Sequence, residues 1–508
     1  MATLLYNNAS FADIWPISST WNDEAFYYKQ TQGIVDYGIP QGYFGYNESR
    51  AQQLTFGAWA PVILYPCAVF GKIFGFGFNA PYIFNIIFLS AALLVFGLLS
   101  HIKLKEASIL YILLFAFFPI SRFTLSYMPE IMMIGLVILL YGLFLSSVKK
   151  LLPIKDILIY LILTYLVIMR PYLATLFVFP LYLAFKRTGK KKLFYAVACV
   201  LIALISLVLY SKINDKFTAP YIGDVYIDYF SKVFTHGPRT VFNEVVQSLD
   251  SNMRLMLFRI GKAFNGLDSV GGYYLCFIIS SLLVATLGIL GFIGKAFKGI
   301  ASKNKKNNSP VTYDSKAVSP LLYLLVFVAQ LSVLLAVLIL YNVADGYRHL
   351  VVFIVLDIFI MCMDKHISAY VKLPLQAVCA AAFILFFLVK ADIPDYKLPV
   401  IKNSSPEREQ FYSHAKEINE ILSLTDEISW DNTVDVLPSS SENLECYYLV
   451  PSGFGINLCE ESYLESNINN LKSKYIILPA DNTLCSKLID IGYTKEYAAG
   501  SDYILLSH

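Results

Sequence analysis

Ten apolar runs divide the first 391 residues: 79–100, 106–120, 130–147, 154–169, 173–186, 193–210, 271–294, 319–342, 349–363 and 374–391. Each predicts a membrane-crossing helix. Several are shorter than the roughly 20 residues a crossing needs, so flanking Tyr, Phe and Arg must reach the interface. Lys and Arg sort between the runs. One set of loops carries Lys103, Lys105, Lys149, Lys150, the cluster at 186–192, Lys295 to Lys306, Lys365 and Lys372. The opposite short turns carry Arg122, Arg170 and Arg348. Basic loops stay in the cytoplasm, so the first set faces inward, and the alternation holds through all ten runs.

Three larger regions then fall outside the cytoplasm: 1–78, 211–270 and 392–508. The bundle itself spans 79–391 and includes the outer loop 211–270 and an inner loop, 295–318, whose Lys/Asn/Ser-rich part reads as a flexible connection. Strand-like runs at 433–437, 474–479 and 502–506, separated by helix-like stretches such as 407–424, predict a small α/β domain in 392–508. The stretch 241–264 is amphipathic and suits the membrane interface. The stretch 56–78 is apolar but broken by Pro61, Pro66 and several glycines; it reads as an interfacial or re-entrant segment, because a crossing there would invert the charge rule downstream. Residues 1–55 are placed outside with no signal peptide or leading crossing before them. That predicts a first transmembrane helix lost from this chain by truncation or a misplaced start.

Composition agrees with the pattern. The 508 residues are 57% hydrophobic and 15% charged, with mean hydropathy +0.57. A soluble domain carries about 25% charge, so a soluble chain is excluded. A disordered chain is excluded by 37 Phe and 36 Tyr, which need burial. The net charge of +3 hides an acidic tail: residues 391–508 hold 8 Lys+Arg against 19 Asp+Glu. No basic stripe marks a nucleic-acid surface. Of eight cysteines, Cys446, Cys459 and Cys485 lie in the polar tail, where a Cys446–Cys459 disulfide and free thiols are both open readings.

Candidate chemistry lies at the outer ends of the runs, where ionisable groups are costly to hold near lipid. Trp21-Asn22-Asp23-Glu24 pairs two carboxylates, suited to a cation or to a base for an attacking hydroxyl; it also reads as a capped helix start. Gly42 to Arg50 mixes glycines and aromatics with Tyr46, Asn47 and Glu48, as a sugar-contacting loop does, or a solvated turn. Glu130 follows Pro129 and is either a helix-start charge or a second acid. Arg170, before Pro171, and Arg348, between Tyr347 and His349, suit bidentate capture of phosphate or snorkelling to headgroups.

Taken together, the chain resembles the C-type (GT-C) integral-membrane glycosyltransferases, which include the protein O-mannosyltransferases and the lipid A aminoarabinose transferase. The matching features are Asp23-Glu24, the Gly/Pro/aromatic stretch 57–76, Glu130, Arg170-Pro171, Tyr347-Arg348 and an extracytoplasmic C-terminal domain. The resemblance implies an all-α polytopic membrane bundle with a small C-terminal extracytoplasmic α/β domain, in a multi-pass protein of a bacterial plasma membrane. It implies inverting transfer of a sugar from a polyprenyl-phosphate donor to a hydroxyl on a glycan, lipid or protein. Asp23 would be the base, with Glu24 and Glu130 assisting. Arg170 and Arg348 would hold the donor phosphate. Tyr46, Asn47, Glu48, Tyr347 and His349 would contact sugar or acceptor. A divalent Mg, Mn or Zn ion on Asp23 and Glu130 is a further expectation. Family members begin with a transmembrane helix before the acidic loop; this chain does not.

Three other readings compete, one of them a structural or assembly protein whose acidic tail binds a partner and whose bundle serves as anchor. A transporter or flippase of lipid-linked saccharides predicts polar residues along the middle of the runs, which are nearly free of them. A polymerase or ligase of lipid-linked glycans predicts a dominant outer loop with Arg and His, and 211–270 carries His236, Arg239, Arg254 and Arg259.

Overall fold

The computed structural model describes residues 4, 8–15, 23–40, 45–48, 61–214, 232–233, 235–304, 318–341, 343–365, 367–389, 400–422, 432–439, 445–497 and 502–508. All ten apolar runs are helical over most of their described residues. They form α3 (Ala80–Ser100), α4 (Leu104–Ala116), α6 (Glu130–Lys149) and α7 (Pro153–Met169). A 3-10 helix (Pro171–Phe177) continues into α8 (Val178–Phe185), followed by α9 (Gly189–Asn214). The later runs form α11 (Ser269–Asn304), α12 (Pro320–Leu340), α13 (Val351–Met363) and α14 (Ala369–Phe383). Among the described residues six helices are long and apolar enough to cross a membrane: α3, α6, α9, α11, α12 and α14, the last only with its π-helical continuation as far as Phe387. The others are shorter: α4 and α13 have 13 residues each and α7 has 17.

Burial separates core helices from lipid-facing ones. Every residue of α13 is buried, and α6 is buried nearly all round. A helix apolar on every side belongs in such a core. By contrast, α9 leaves most of its apolar side chains exposed, as a helix against lipid does. Gly142 on α6 lets α3 approach: a Cβ there would sit 3.3 Å from the Phe96 backbone. Small residues at such crossings allow close backbone contact. One polar knot ties the core. Asp357 on α13 accepts from Ser280 Oγ of α11 (2.7 Å) and from Gln330 Nε2 of α12 (2.5 Å). The sequence reading overlooked it because its three members are isolated within apolar runs.

Four further helices line one end of the bundle: the short α1 (Asp23–Tyr37), α2 (Tyr65–Phe74) and α5 (Pro119–Thr124), and the 27-residue α10 (Pro238–Phe264). There the C-terminal region packs α15 (Pro406–Ile421), α16 (Glu445–Leu449), α17 (Glu461–Ser466) and α18 (Leu484–Asp490) on a six-stranded sheet. Its strands are β1 (Gly45–Tyr46), β2 (Thr433–Val436), β3 (Gly455–Leu458), β4 (Tyr475–Pro479), β5 (Thr494–Tyr497) and β6 (Tyr503–Ser507), in the order β1-β3-β2-β4-β6-β5. The first four are parallel to their neighbours among themselves; β6 runs antiparallel to β4 and β5. The edge strand β1 comes from the N-terminal region, so 392–508 does not complete the sheet alone.

Side chains alternate across the strands, so each face has its own core. Val434, Val436, Ile456, Ile477 and Leu505 join α15 and α16 with Trp15, Tyr28, Tyr82 and Tyr127. Ile476, Leu478, Ile504 and Leu506 join α17 and α18. The first core fixes the sheet to α1 and the bundle through stacked rings: Tyr28 on Tyr127 at 5.1 Å, and Tyr82 on Tyr127 at 5.2 Å. Cys446 lies in the first core and Cys459 in the second, and both are free thiols. The disulfide considered from the sequence is therefore not formed; the sheet stands between its members.

Candidate functional site

The acidic pair opens α1, as the capped-helix reading requires; Trp21 and Asn22 lie outside the described residues. Consecutive helical residues point about 100° apart, so Asp23 and Glu24 cannot face one ligand together. Asp23 turns toward the start of α13, where Arg348 Nη1 donates to its carboxylate at 2.8 Å. Glu24 turns the other way. It is buried against Arg122 of α5, with 3.6 Å between the charged atoms, and accepts from the Tyr127 backbone N–H at 3.4 Å. The sequence reading noted Arg122 as an outer-turn charge and missed this partnership, because nothing local links residues 24 and 122.

Around Asp23 the fold gathers side chains from four parts of the chain. Glu130 sits at the first position of α6, buried, and feels the charges of Arg348, Arg170 and Asp23. Its Oε2 has no hydrogen-bond partner among the described residues. Arg170 ends α7 in extended backbone, as the following Pro171 demands. His349 follows Arg348 in a 3-10 turn (Tyr347–Leu350); its Nδ1 is 3.2 Å from the Tyr172 hydroxyl and its ring packs on Tyr341 at 4.5 Å. Tyr347 packs on Tyr273 at 4.7 Å. Tyr27, one turn along α1 from Asp23, lies in the field of all four charges. Burial, then the charge of Asp23, raises its phenol well above the usual range and keeps it neutral.

The structure thus brings together Asp23, Glu130, Arg170, Arg348 and His349, with Tyr347 beside them. Tyr27 and Tyr172 join the cluster, and sequence reasoning did not single them out; aromatic residues are too common in this chain to stand out. Tyr46, Asn47 and Glu48 are not brought here. Tyr46 pairs in β1 and its hydroxyl donates to Glu460; Asn47 Oδ1 accepts from the Glu460 N–H at 2.9 Å. Glu48 is buried and accepts from the N–H groups of Lys472 (2.6 Å) and Ser473 (3.0 Å). Residues 42–44, 49 and 50 of that motif lie outside the described residues.

Two carboxylates and two guanidiniums make the cluster formally neutral. A divalent ion on Asp23 and Glu130 would have to displace Arg348 from Asp23. Arg348 already occupies Asp23, and its charge opposes a cation there. Among the described residues no group of three His, Cys, Asp or Glu side chains comes together. The arrangement suits an anion better: a phosphate offered to Arg170 and Arg348 can take over the contact that Arg348 makes with Asp23.

No known protein-family pattern matches the chain, and no curated protein matches its sequence. Two solved structures are similar in course. The crystal structure of ArnT from Cupriavidus metallidurans bound to undecaprenyl phosphate shares 10% identity, over 98% of this chain and 95% of that one, with a TM-score of 0.40. The apo crystal structure of the same protein shares 12% identity over the same fractions, with a TM-score of 0.38.

Proposed function

We propose that this chain is a membrane glycosyltransferase. It moves a sugar from a polyprenyl-phosphate donor to a hydroxyl acceptor with inversion at the anomeric carbon. The observation that carries this reading is the Asp23–Arg348 contact, set among Glu130, Arg170 and His349 at one end of a lipid-embedded bundle. The distribution of Lys and Arg supports an extracytoplasmic position for that end.

Each residue then has a task. The donor phosphate binds Arg170 and Arg348 and draws Arg348 off Asp23. The freed Asp23 carboxylate accepts the proton of the acceptor hydroxyl. The hydroxyl oxygen bonds to the anomeric carbon from the face opposite the phosphate, and the bond from that carbon to the phosphate oxygen breaks. The electron pair leaves with polyprenyl phosphate, whose added charge the two arginines stabilise. Such a leaving group needs no strong general acid, unlike the alcohol expelled by a glycosidase. Glu130, whose buried Oε2 has no hydrogen-bond partner among the described residues, would accept from a sugar hydroxyl. His349, held by Tyr172, lines the same space.

The test is release of free polyprenyl phosphate by the purified chain in nanodiscs, from a panel of polyprenyl-phosphate sugars with an acceptor extract. Acceptor-dependent release that is lost in Asp23→Asn and Arg348→Ala supports transfer. Retention of the intact lipid-linked sugar without release, or release unchanged in Asp23→Asn, overturns it.

A further inference from the structure

We infer that α10 is a membrane-surface helix, seated in the leaflet on the site's side with one strip of its side chains among the lipid chains. The inference does not depend on the transfer reading.

Its depth follows from its anchors. Helices α11 and α12 run antiparallel: Gly288 of α11 meets the Pro320 carbonyl at one end, and Tyr274 Oη donates to the Val343 carbonyl (3.2 Å) at the other. The first turn of α11 and the last turn of α12 therefore lie at one level. Both anchor α10. Asn252 Nδ2 donates to the Leu338 carbonyl at 2.8 Å, and Ser248 Oγ reaches the Ile339 carbonyl at 3.4 Å. Eleven residues beyond Ser248, the Arg259 carbonyl lies against Gly271, where a Cβ would be only 2.1 Å away. Those eleven residues span about 16 Å of helix. A helix folded back along α11 would carry Ser248 that far into the bilayer, away from the end of α12. Helix α10 instead stays at one depth and runs along the boundary.

Its surface has three sectors. Val241, Met256 and Ala263 face the bundle and are buried. Asn243, Gln247, Asp250 and Arg254 form a polar sector on the exposed side, with the exposed Phe258 at its far edge. Between them, Phe242, Val246, Met253, Leu257 and Phe264 recur at spacings of four and seven, a strip about 60° wide at 100° per residue. These five are 39 to 66% exposed within the chain. An apolar strip between a packed face and a wet face is what a helix lying in a lipid–water interface presents.

Continuity with the lipid-facing surface favours lipid over a protein partner. On α12, Leu321, Leu325, Val328, Leu331 and Leu335 form an exposed stripe that ends about a turn below Ile339, where α10 crosses. The seat has a consequence for the site: Asn252 also reaches the Tyr341 carbonyl at 3.4 Å, and the Tyr341 ring packs on His349. Lipid contact on α10 thus holds the site at headgroup depth.

The experiment uses the full chain in phosphatidylcholine nanodiscs, with nitroxide labels on single cysteines at Met253, Leu257, Gln247 and Arg254. Cys485, the one cysteine that is not buried, is first changed by Cys485→Ser. All four labels point out of the fold, so packing on α11 and α12 is kept. Labels at Met253 and Leu257 are expected to be relaxed by oxygen in preference to a water-soluble nickel chelate. Labels at Gln247 and Arg254 should show the reverse. Preference for nickel at all four positions overturns the inference. So does shielding of the strip from both agents with spin–spin broadening, which would mean that a second copy covers it.

Discussion

Arg348 reaches across 325 residues of sequence to place a guanidinium nitrogen 2.8 Å from the carboxylate of Asp23. Neither partner is sealed: the side chains remain 20% and 37% exposed. A pair this wet contributes about 1 kcal/mol or less to stability. In the proposed transfer its value would lie in occupying a carboxylate that an arriving phosphate can release. Asp23→Asn is therefore expected to leave thermal unfolding in nanodiscs nearly unchanged while lowering polyprenyl-phosphate release about 10²- to 10⁴-fold, the range for loss of a general base. A variant that unfolds early would assign Asp23 to structure instead.

Glu24 and Arg122 behave in the opposite way. Both side chains are about 1% exposed, so removing either leaves the other charge buried without its ion-pair partner, at a cost of roughly 3–5 kcal/mol. Glu24→Ala and Arg122→Met should each lose folded protein in size-exclusion profiles and unfold at lower temperature. The double change Glu24→Leu with Arg122→Met should recover much of that loss. Selective loss of activity with normal folding in the single variants would return Glu24 to the catalytic role inferred from its place beside Asp23.

These two pairs show how far the sequence could be read. Lipid demands continuous apolar runs, so the bundle is legible in the sequence, though among the described residues six of the ten runs form helices of crossing length. The strands β2, β4 and β6 are legible as strand-like runs. The strand β3, Gly-Ile-Asn-Leu, is not, because it opens on glycine and carries the buried Asn457. The acidic pair stands out in the sequence, but only helical geometry separates Asp23 from Glu24. Tyr46-Asn47-Glu48 has the composition of a sugar loop. Pairing with β3 decides its position, together with left-handed backbone at Asn47 (φ 50°) and Glu48 (φ 54°). No local pattern announces a partner more than 400 residues away.

Glu48 also sets a pH dependence. Asp435, buried on β2, accepts from Ser473 Oγ (2.7 Å) and Asn457 Nδ2 (2.9 Å). Burial, and next the negative charge of Glu48, push its carboxyl up to about 8 from 3.8. A raised acid binds its proton in the folded state where the unfolded chain has lost it. Its stabilising effect is full below about 4 and is lost as pH rises through about 8. Hydrogen exchange at the amides of β1 and β3 should therefore quicken between pH 4 and 8 beyond the intrinsic rate. Asp435→Asn should flatten that trend and slow exchange at pH 8. An unchanged pH profile in Asp435→Asn would show that Asp435 does not govern the attachment of residues 45–48.

Two glycines near the end of α10 separate close packing from helix propensity. At Gly271 a Cβ would sit 2.1 Å from the Arg259 carbonyl oxygen and 2.4 Å from its carbon. Those are backbone atoms and cannot swing aside, so Gly271→Ala must lift α10 from α11. Overpacking of this kind costs about 1–3 kcal/mol. At Gly261, an exposed interior position of α10, a Cβ would meet nothing within 4 Å. There the same substitution removes only the entropic penalty of glycine and should stabilise the helix by up to about 1 kcal/mol. Hydrogen exchange over 248–263 reads both effects: protection should fall in Gly271→Ala and rise in Gly261→Ala. Because Asn252 links α10 to Tyr341, the loss in Gly271→Ala should extend to the amides at 347–350, while Gly261→Ala leaves them as they are. Equal exchange in the two variants would mean that α10 is not held down at Gly271, and its fixed depth would lose one of its two anchors.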